Sequence, residues 1–275
     1  MTVQAALALG RARLEEAGID NAMGDARRLM AAALGIETGR LTLHARDALS
    51  AEAEAVFFQG ISDRTARKPV SHILGGREFY GRWFKVTGDV LDPRPETETL
   101  IEQALSEEFS EVLDLGTGTG CILLTLLAER LEATGIGADK SSAALAVAER
   151  NASDLGLADR AALVESDWFG AVGGQFDLIV SNPPYIALDE MPALAPELSY
   201  EPRMALTDEG DGLTAYRIIA AGAGAHLRPG GRLLVEIGAG QGAAVAELFR
   251  AAGFADVVVL PDLDGRDRVV KGRKI

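Results

Sequence analysis

The stretch Val112-Leu113-Asp114-Leu115-Gly116-Thr117-Gly118-Thr119-Gly120 joins a short apolar run to a glycine-rich turn. An apolar run of this length that ends at glycines is typical of a buried strand. The glycines allow the backbone to approach a ligand, and a helix that starts after them directs its N-terminus at that ligand. The stretch therefore predicts the first strand of a parallel sheet, followed by a loop that binds a nucleotide-like cofactor.

Further apolar runs follow the first one, and helical patterns separate most of them. This alternation is typical of a doubly wound parallel sheet. Two last runs are joined by loop 261–267 without a helix, so they predict an antiparallel pair that closes the sheet. The runs after the first lie at 136–138, 161–164, 176–180, 232–237, 257–260 and 268–271. The expected fold class is α/β, with a doubly wound, mostly parallel sheet of seven strands.

Residues 1–75 carry helical patterns instead. Thr2 is positioned to cap a helix that ends before Gly18, and Ser50 to cap another with acidic residues in its first turn. No catalytic constellation occurs in this small bundle, and the basic residues at 64–68 predict a solvated face. The expected function of the bundle is contact with a macromolecule.

Between the two halves, residues 69–76 predict a linker, and aromatic runs around Gly81-Arg82 predict a β-hairpin. The expected domains are a helical substrate-docking domain at 1–75, a linker with the hairpin at 76–92, and a catalytic domain at 93–275. In the last of these, Pro95 suits the first turn of a helix. Arg94 and Glu96 beside it fit a capping role and a functional role equally well.

Composition excludes several classes of function. The formal net charge is −14, and all of it lies after residue 75, because residues 1–75 hold nine basic and nine acidic side chains. Nucleic-acid affinity depends mostly on Lys and Arg, so a tight polyanion complex is disfavoured. Cys121 is the only cysteine and there are three histidines, which predicts no disulfide and no metal site. The chain opens without a signal-like segment, so we expect a cytoplasmic protein without membrane spans.

The glycine turn and the carboxylates near it favour one kind of cofactor. A dinucleotide fingerprint needs a third glycine at position 121, which is Cys121, so NAD fits less well. Asp139 ends the second strand, where a carboxylate can accept hydrogen bonds from both ribose hydroxyls. Asp114 adds negative charge, and Trp168 after the third strand can stack on adenine. A cationic nucleoside, S-adenosylmethionine, matches these features together.

The run Ser181-Asn182-Pro183-Pro184-Tyr185 follows the fourth strand and predicts a rigid loop. The side-chain oxygen of Asn182 and the carbonyl of Pro183 can each accept one N–H of a planar NH2 group, beneath the ring of Tyr185. A side-chain amide and the exocyclic amine of a nucleobase both fit this pattern.

These motifs together resemble the release factor glutamine methyltransferases, a protein-(glutamine-N5) methylating family of class I S-adenosylmethionine-dependent enzymes. The similarity covers nearly the whole chain, and the Pro93-Arg94-Pro95-Glu96 segment distinguishes it from adenine-N6 methyltransferases that share the Asn-Pro-Pro-Tyr motif. The resemblance implies methyl transfer from S-adenosylmethionine to the glutamine of the Gly-Gly-Gln loop in peptide chain release factors, an event of translation termination. It also implies that the helical bundle docks the release factor.

The resemblance assigns site residues as follows. The cofactor-binding residues are Gly116, Thr117, Gly118, Thr119, Gly120, Asp139, Trp168 and Asn182. The substrate-binding residues are Asn182, Pro183, Pro184 and Tyr185. Of these, Asn182, Pro183 and Tyr185 are the catalytic candidates. Ser141-Ser142 does not align with the family pattern, which leaves contacts beyond the ribose open.

Other functions remain open from the residues alone. A ribosomal-protein glutamine is an alternative acceptor, and adenine-N6 of a nucleic acid is another. The nucleic-acid enzyme would need a basic strip or a reading domain, which the acidic half lacks. A non-catalytic cofactor-sensing protein would not need the complete Asn-Pro-Pro-Tyr constellation.

Overall fold

The computed structural model describes residues 1–275, which divide into two units with separate hydrophobic cores. One unit contains Met1–Gly76 together with Ala195–Tyr200, and the other contains Arg77–Leu194 and Glu201–Ile275. The helical unit thus includes a short segment from the second half of the chain, which the sequence pattern did not predict.

The helical unit has four α-helices, α1 (Val3–Glu16), α2 (Ala22–Leu34), α3 (Ala51–Thr65) and α4 (Val70–Leu74), and a 3₁₀ helix at Thr38–His44. Both predicted caps are confirmed: Thr2 Oγ1 accepts from Ala5 N at 3.2 Å, and Ser50 Oγ accepts from Ala53 N at 3.1 Å. Such a cap typically stabilises its helix by about 1 kcal/mol. The core of the unit is apolar and includes the fully buried Phe57.

Two predictions for this unit were wrong. Within the predicted linker 69–76, Val70–Leu74 form the helical turn α4, because Val70 is buried in the core of the bundle and holds the chain against it. The basic residues at 64–68 are not all solvated. Arg64 is buried between two carboxylates, with Nε 2.8 Å from Asp25 Oδ2 and a terminal nitrogen 3.0 Å from Glu197 Oε1.

The hairpin that follows consists of β1 (Gly76–Phe79) and β2 (Arg82–Lys85). Its turn residues are Tyr80 and Gly81, with φ of 49° and 72°, so the turn lies one residue before the predicted Gly81-Arg82. Two positive φ angles match the twist of a two-residue hairpin turn. The register also lets Phe79 and Phe84 meet edge to face, at 6.1 Å between ring centroids.

The second unit is a doubly wound α/β domain, as predicted. Its elements are α5 (Glu98–Leu105), β3 (Glu111–Leu115), α6 (Cys121–Glu129), β4 (Thr134–Asp139), α7 (Ser142–Asp154), β5 (Ala161–Glu165), β6 (Phe176–Ser181), α8 (Arg203–Leu206), α9 (Thr214–His226), β7 (Leu227–Glu236), α10 (Gly242–Ala251), β8 (Ala255–Pro261) and β9 (Asp267–Arg273). The seven strands are ordered β5-β4-β3-β6-β7-β9-β8. Strands β3 to β7 are parallel, and β9 pairs antiparallel with both β7 and β8.

Strand register brings the ends of four strands together. Leu115 pairs with Ala138 on one side and with Ser181 on the other, and Ser181 pairs in turn with Val235. The carboxyl ends of β3, β4, β6 and β7 therefore lie side by side. Ligands of doubly wound sheets bind at this edge.

Apolar side chains cover both faces of the sheet. Leu100 of α5 and Leu123 of α6 belong to the core on one face, whereas Tyr216 of α9 and Phe249 of α10 belong to the core on the other. Full burial of one such side chain contributes about 1.5–3 kcal/mol, so the helices are held on the sheet mainly by this packing. No helix of the protein is long and apolar enough to cross a lipid bilayer.

Candidate functional site

A cavity of about 610 Å³ lies at the carboxyl edge of the sheet, within the range of small-molecule sites. Every residue that lines it belongs to the second unit. Of the predicted site residues, Gly116, Thr117, Gly118, Thr119, Asp139, Trp168, Asn182 and Pro184 line the cavity, and Gly120, Pro183 and Tyr185 do not.

The glycine turn between β3 and α6 is held by Asp139. Gly118 N donates to Asp139 Oδ2 and Ser141 N donates to Asp139 Oδ1, both at 2.9 Å. Gly116, Gly118 and Gly120 have φ of 70°, 54° and 79°, values that a side chain would strain. Each carboxylate oxygen can still accept a further hydrogen bond, so Asp139 can hold the turn and a ligand hydroxyl together.

Asp114 supports the turn without facing the cavity. The hydroxyl of Thr117 donates to Asp114 Oδ2 at 2.6 Å, while Oδ1 is buried without a partner. Burial raises the pKa of Asp114 to about 7, against the effect of the Thr117 hydrogen bond. Near neutral pH, Asp114 is thus a weaker source of negative charge than the sequence suggested.

Trp168 lies at the cavity wall in a left-handed backbone conformation, with φ of 54°. Such a conformation costs a residue with a side chain about 1–3 kcal/mol. Ser166 holds it: its hydroxyl donates to Trp168 O at 2.8 Å and accepts from Ala171 N at 2.9 Å. The loop after β5 therefore fixes the position from which the indole reaches the cavity.

Asn182 directly follows β6, whose last residue, Ser181, is tied to β3 by a hydrogen bond to Leu115 O at 2.7 Å. The side-chain nitrogen of Asn182 donates to Thr97 Oγ1 at 3.3 Å. Its side-chain oxygen is buried and has no hydrogen-bond partner. An unsatisfied buried acceptor costs about 1–3 kcal/mol of stability. The Asn182 oxygen can therefore accept a hydrogen bond from a ligand.

The backbone of Tyr185 is held by Gln241. The side-chain nitrogen of Gln241 donates to Tyr185 O at 2.9 Å and to Gly212 O at 3.2 Å, and its oxygen accepts from Gly238 N at 3.0 Å. The Tyr185 ring is half-buried against the hydrophobic core of α9 and α10. Burial first, and then the charge of Glu236, raises the pKa of Tyr185, so its phenol stays protonated at neutral pH.

Arg94 lies in the cavity wall and pairs with Glu201. One terminal nitrogen of Arg94 is 2.7 Å from each carboxylate oxygen of Glu201, which is buried. Burial raises the pKa of Glu201, although Arg94 opposes the shift. The pair connects the segment before α5 to the chain just after residue 200, so Arg94 both stabilises this connection and lines the cavity.

Three polar residues of the site were missed from the sequence: Thr97, Glu236 and Gln241. Glu236 ends β7 beside Asn182, and burial raises its pKa to about 7. A carboxylate directly after the apolar run 233–235 was a usable signal for it. Thr97 and Gln241 had no such signal, because the loop residues that they contact, Asn182 and Tyr185, are distant in the sequence.

Comparisons with known proteins agree across the chain. Residues 5–75 match the model of the PrmC N-terminal domain, and residues 91–214 match that of the methyltransferase small domain. The release factor glutamine methyltransferase of Cereibacter sphaeroides is 64% identical over 262 residues, which cover 95% of this chain and 94% of that protein. The enzyme of the same name from Caulobacter vibrioides is 44% identical over 281 residues, which cover 100% of this chain and 97% of that protein.

A solved methyltransferase structure from Pyrococcus furiosus superposes with a TM-score of 0.55. It is 17% identical, and the match covers 78% of this chain and 98% of that one. At this identity the likeness shows the fold alone.

Proposed function

The chain belongs to the release factor glutamine methyltransferase family of S-adenosylmethionine-dependent enzymes, and on that basis we propose the atom that it methylates. The acceptor is the side-chain amide nitrogen, N5, of the glutamine in the Gly-Gly-Gln loop of a peptide chain release factor. The observation that carries this proposal is the buried, unpartnered oxygen of Asn182 in a cavity wall. A primary amide presents the N–H donor that this oxygen lacks.

The residues of the cavity fit the cofactor. Gly116 and Gly118 offer backbone without side chains, Asp139 offers carboxylate oxygens for ribose hydroxyls, and the Trp168 indole offers an apolar surface for adenine. We assign these groups, with Asn182, to S-adenosylmethionine, and Gly120 to the support of the turn. When bound, the cofactor supplies an electrophilic methyl group on a positively charged sulfur.

The loop of Asn182 supplies two acceptors for the glutamine amide. The Asn182 side-chain oxygen takes one N–H and the Pro183 carbonyl takes the other. The lone pair of an amide nitrogen is delocalised into its carbonyl, so the nitrogen is a weak nucleophile. Two acceptors polarise its N–H bonds and fix its orientation. Positioning of the amide nitrogen is therefore the main contribution of the protein to the rate.

Tyr185 has a supporting role in this proposal. Its protonated phenol is not a base at neutral pH, and its ring is proposed to flank the acceptor amide. Pro183 and Pro184 stiffen the loop that carries Asn182 and Tyr185.

The acceptor is tested by mass spectrometry of a purified release factor after incubation with the enzyme and labelled S-adenosylmethionine. We expect one methyl group on the glutamine of the Gly-Gly-Gln loop. A release factor with that glutamine changed to asparagine should take no label, because the amide then lies about 1.5 Å short and near-attack geometry tolerates little displacement.

Two further substrates in the same assay define the contrary results. Ribosomal proteins and single- or double-stranded DNA are offered under identical conditions. Label on a ribosomal-protein glutamine or on adenine, with none on the release factor, would overturn the proposed acceptor.

A further inference from the structure

The hydroxyl of Thr97 lies between two polar side chains, that of Asn182 directly after β6 and that of Glu236 at the end of β7. On one side it accepts from the Asn182 side-chain nitrogen at 3.3 Å. On the other it faces the carboxyl group of Glu236 at the end of β7, whose pKa it lowers against the effect of burial. Thr97 and Glu236 are both buried, and Asn182 and Thr97 line the cavity.

A hydroxyl has one proton, and this limits how the three groups can be connected. An ionised carboxylate only accepts, so the Thr97 proton must go to Glu236. Only the lone pairs of the Thr97 oxygen then remain for Asn182, and they can accept solely from its NH2 group. The Asn182 oxygen is thereby left on the other side of its carboxamide, without a partner.

We propose that Thr97 and Glu236 are positioning residues that determine which end of the Asn182 carboxamide is presented to the acceptor amide, a role that rests on the proposed function. Neither residue needs to touch the reacting atoms. Their effect is to select the orientation in which Asn182 is an acceptor.

The Asn182 carboxamide keeps nearly the same shape when its oxygen and nitrogen exchange places. If the Thr97 proton is not taken by Glu236, it can be donated to the Asn182 oxygen, and the carboxamide turns over. The NH2 group then occupies the place of the oxygen. The N–H bonds of this group would then face the N–H bonds of the glutamine amide, donor against donor. The amide would not bind in the reactive geometry.

The charge state of Glu236 follows from its surroundings. The charged and titratable groups that interact with it are Arg268, Arg94, Glu96, Cys121, Tyr185 and Tyr216. Burial raises the pKa of Glu236 to about 7, and Arg268 and Arg94 oppose the shift. Below that pH the protonated carboxyl can donate to Thr97, so the orientation of Asn182 is enforced most strongly above it.

The first test replaces Thr97 and measures kcat with intact release factor, together with cofactor affinity by calorimetry. Thr97→Val, which replaces the hydroxyl by a methyl group of similar size, should lower kcat about 10- to 100-fold and leave cofactor affinity within about threefold. Thr97→Ser keeps the hydroxyl and should retain most of the activity. Thr125→Val is the matched control, since Thr125 is equally buried on α6 and lies outside the cavity.

Equal kcat for Thr97→Val and wild type would overturn the inference. Equal loss in Thr97→Val and Thr125→Val would also count against it, since that result assigns the effect to a buried hydroxyl in general. Absence of methyl transfer by the wild type would instead contradict the proposed function.

The second test does not depend on activity. The chain contains three asparagines, Asn21, Asn151 and Asn182, so selective ¹⁵N-asparagine labelling gives three side-chain NH2 signals, and loss of one in Asn182→Asp assigns it. In the wild type, the Asn182 signal should shift with pH, with a midpoint near the pKa of about 7 for Glu236. Glu236→Gln should abolish the shift, and Thr97→Val should reduce it at least twofold.

An Asn182 signal that does not respond to pH in the wild type would contradict the inference. A response that is unchanged in Thr97→Val would contradict it too, because Thr97 would then not connect the two groups.

Discussion

Asn182 is the residue whose replacement tests the acceptor site most directly. Asn182→Ala removes the buried oxygen and should lower kcat about 100- to 1,000-fold, the usual loss for one preorganised hydrogen bond in a transition state. Cofactor affinity should fall much less. Methyl transfer to release factor, followed by mass spectrometry, measures the first effect, and calorimetry measures the second.

Asn182→Asp is the matched variant for that experiment. It keeps an oxygen but loses the NH2 group that donates to Thr97, and it adds a buried charge. We expect it to be nearly as inactive as Asn182→Ala. Full activity of either variant would remove Asn182 from the reaction.

Asp139 is the residue on which cofactor affinity should depend most. Asp139→Ala removes the proposed acceptor for the ribose hydroxyls and also the bonds to Gly118 N and Ser141 N. Each hydrogen bond to a charged group contributes about 1.5–3 kcal/mol, so affinity should fall at least about tenfold by calorimetry. Asp154→Ala is the control, because Asp154 is exposed on α7 outside the cavity. Unchanged affinity in folded Asp139→Ala would contradict the assignment.

Glu236 makes stability depend on pH. Burial raises its pKa from 4.5 to about 7, so the native state holds this proton through a range where the unfolded chain has lost it. The native state thus binds more protons between those values, and the free energy of unfolding falls as pH rises through them. Asp114, raised from 3.8 to about 7, contributes with the same sign.

Glu236→Gln removes one of these two contributions. In urea unfolding of the cofactor-free protein, we expect it to match the wild type near pH 5 and to exceed it near pH 8, by on the order of 2 kcal/mol. Glu102→Gln, at an exposed position of α5, should change stability at neither pH. A wild-type stability that rises between pH 5 and pH 8 would contradict the raised pKa values.

At the scale of elements, the loop after β6 depends on a close backbone approach at Gly212. Its φ is 74°, and a Cβ there would overlap the backbone oxygen of Tyr185. Gly212→Ala should lower the free energy of unfolding by about 1–3 kcal/mol and raise KM for the release factor, because the loop must move. Chemical denaturation and steady-state kinetics measure the two effects.

Gly224→Ala is the control within the same region. Gly224 lies in α9 with open space where a Cβ would go, and alanine favours a helix over glycine by about 1 kcal/mol. We therefore expect it to be neutral or stabilising. If Gly212→Ala behaved likewise, the loop would not depend on this contact.

Elements with a local cause could be predicted from the sequence. The strands follow apolar runs, the caps at Thr2 and Ser50 follow residue type, and Asn182 was found because its motif is contiguous. Features with a distant cause could not be predicted. Arg64 is buried against a carboxylate 133 residues away, and Thr97 contacts Asn182, 85 residues away.

At the scale of the whole molecule, the two units should separate two functions. Deletion of residues 1–72 leaves every residue of the cavity in place, so cofactor affinity should stay within about threefold. Methylation of intact release factor should fall sharply, because the proposed docking domain is lost. Calorimetry and methyl-transfer assays measure the two effects, and equal turnover by both proteins would contradict the docking function.

Deletion also removes the partners of segment 195–200. Glu197 pairs there with Arg64 at 3.0 Å and with Arg67 at 3.3 Å. Burial opposes ionisation of Glu197, but hydrogen bonds, including those from the two arginines, lower its pKa. Full-length Glu197→Ala is the matched variant: it releases the segment and keeps the helices. A loss with Glu197→Ala as large as with the deletion would assign the effect to the segment.

The same segment bears on how this protein can evolve. The helical unit is assembled from two stretches of the chain, 1–76 and 195–200, that are encoded far apart. A single recombination event that exchanged the N-terminal helices between two genes would leave residues 195–200 behind. The carboxylate of Glu197 would then face helices from another protein, whose arginines need not lie where Arg64 and Arg67 do. The two stretches must therefore be inherited together, and a hybrid gene should need Glu197 and its neighbours transferred along with the helices.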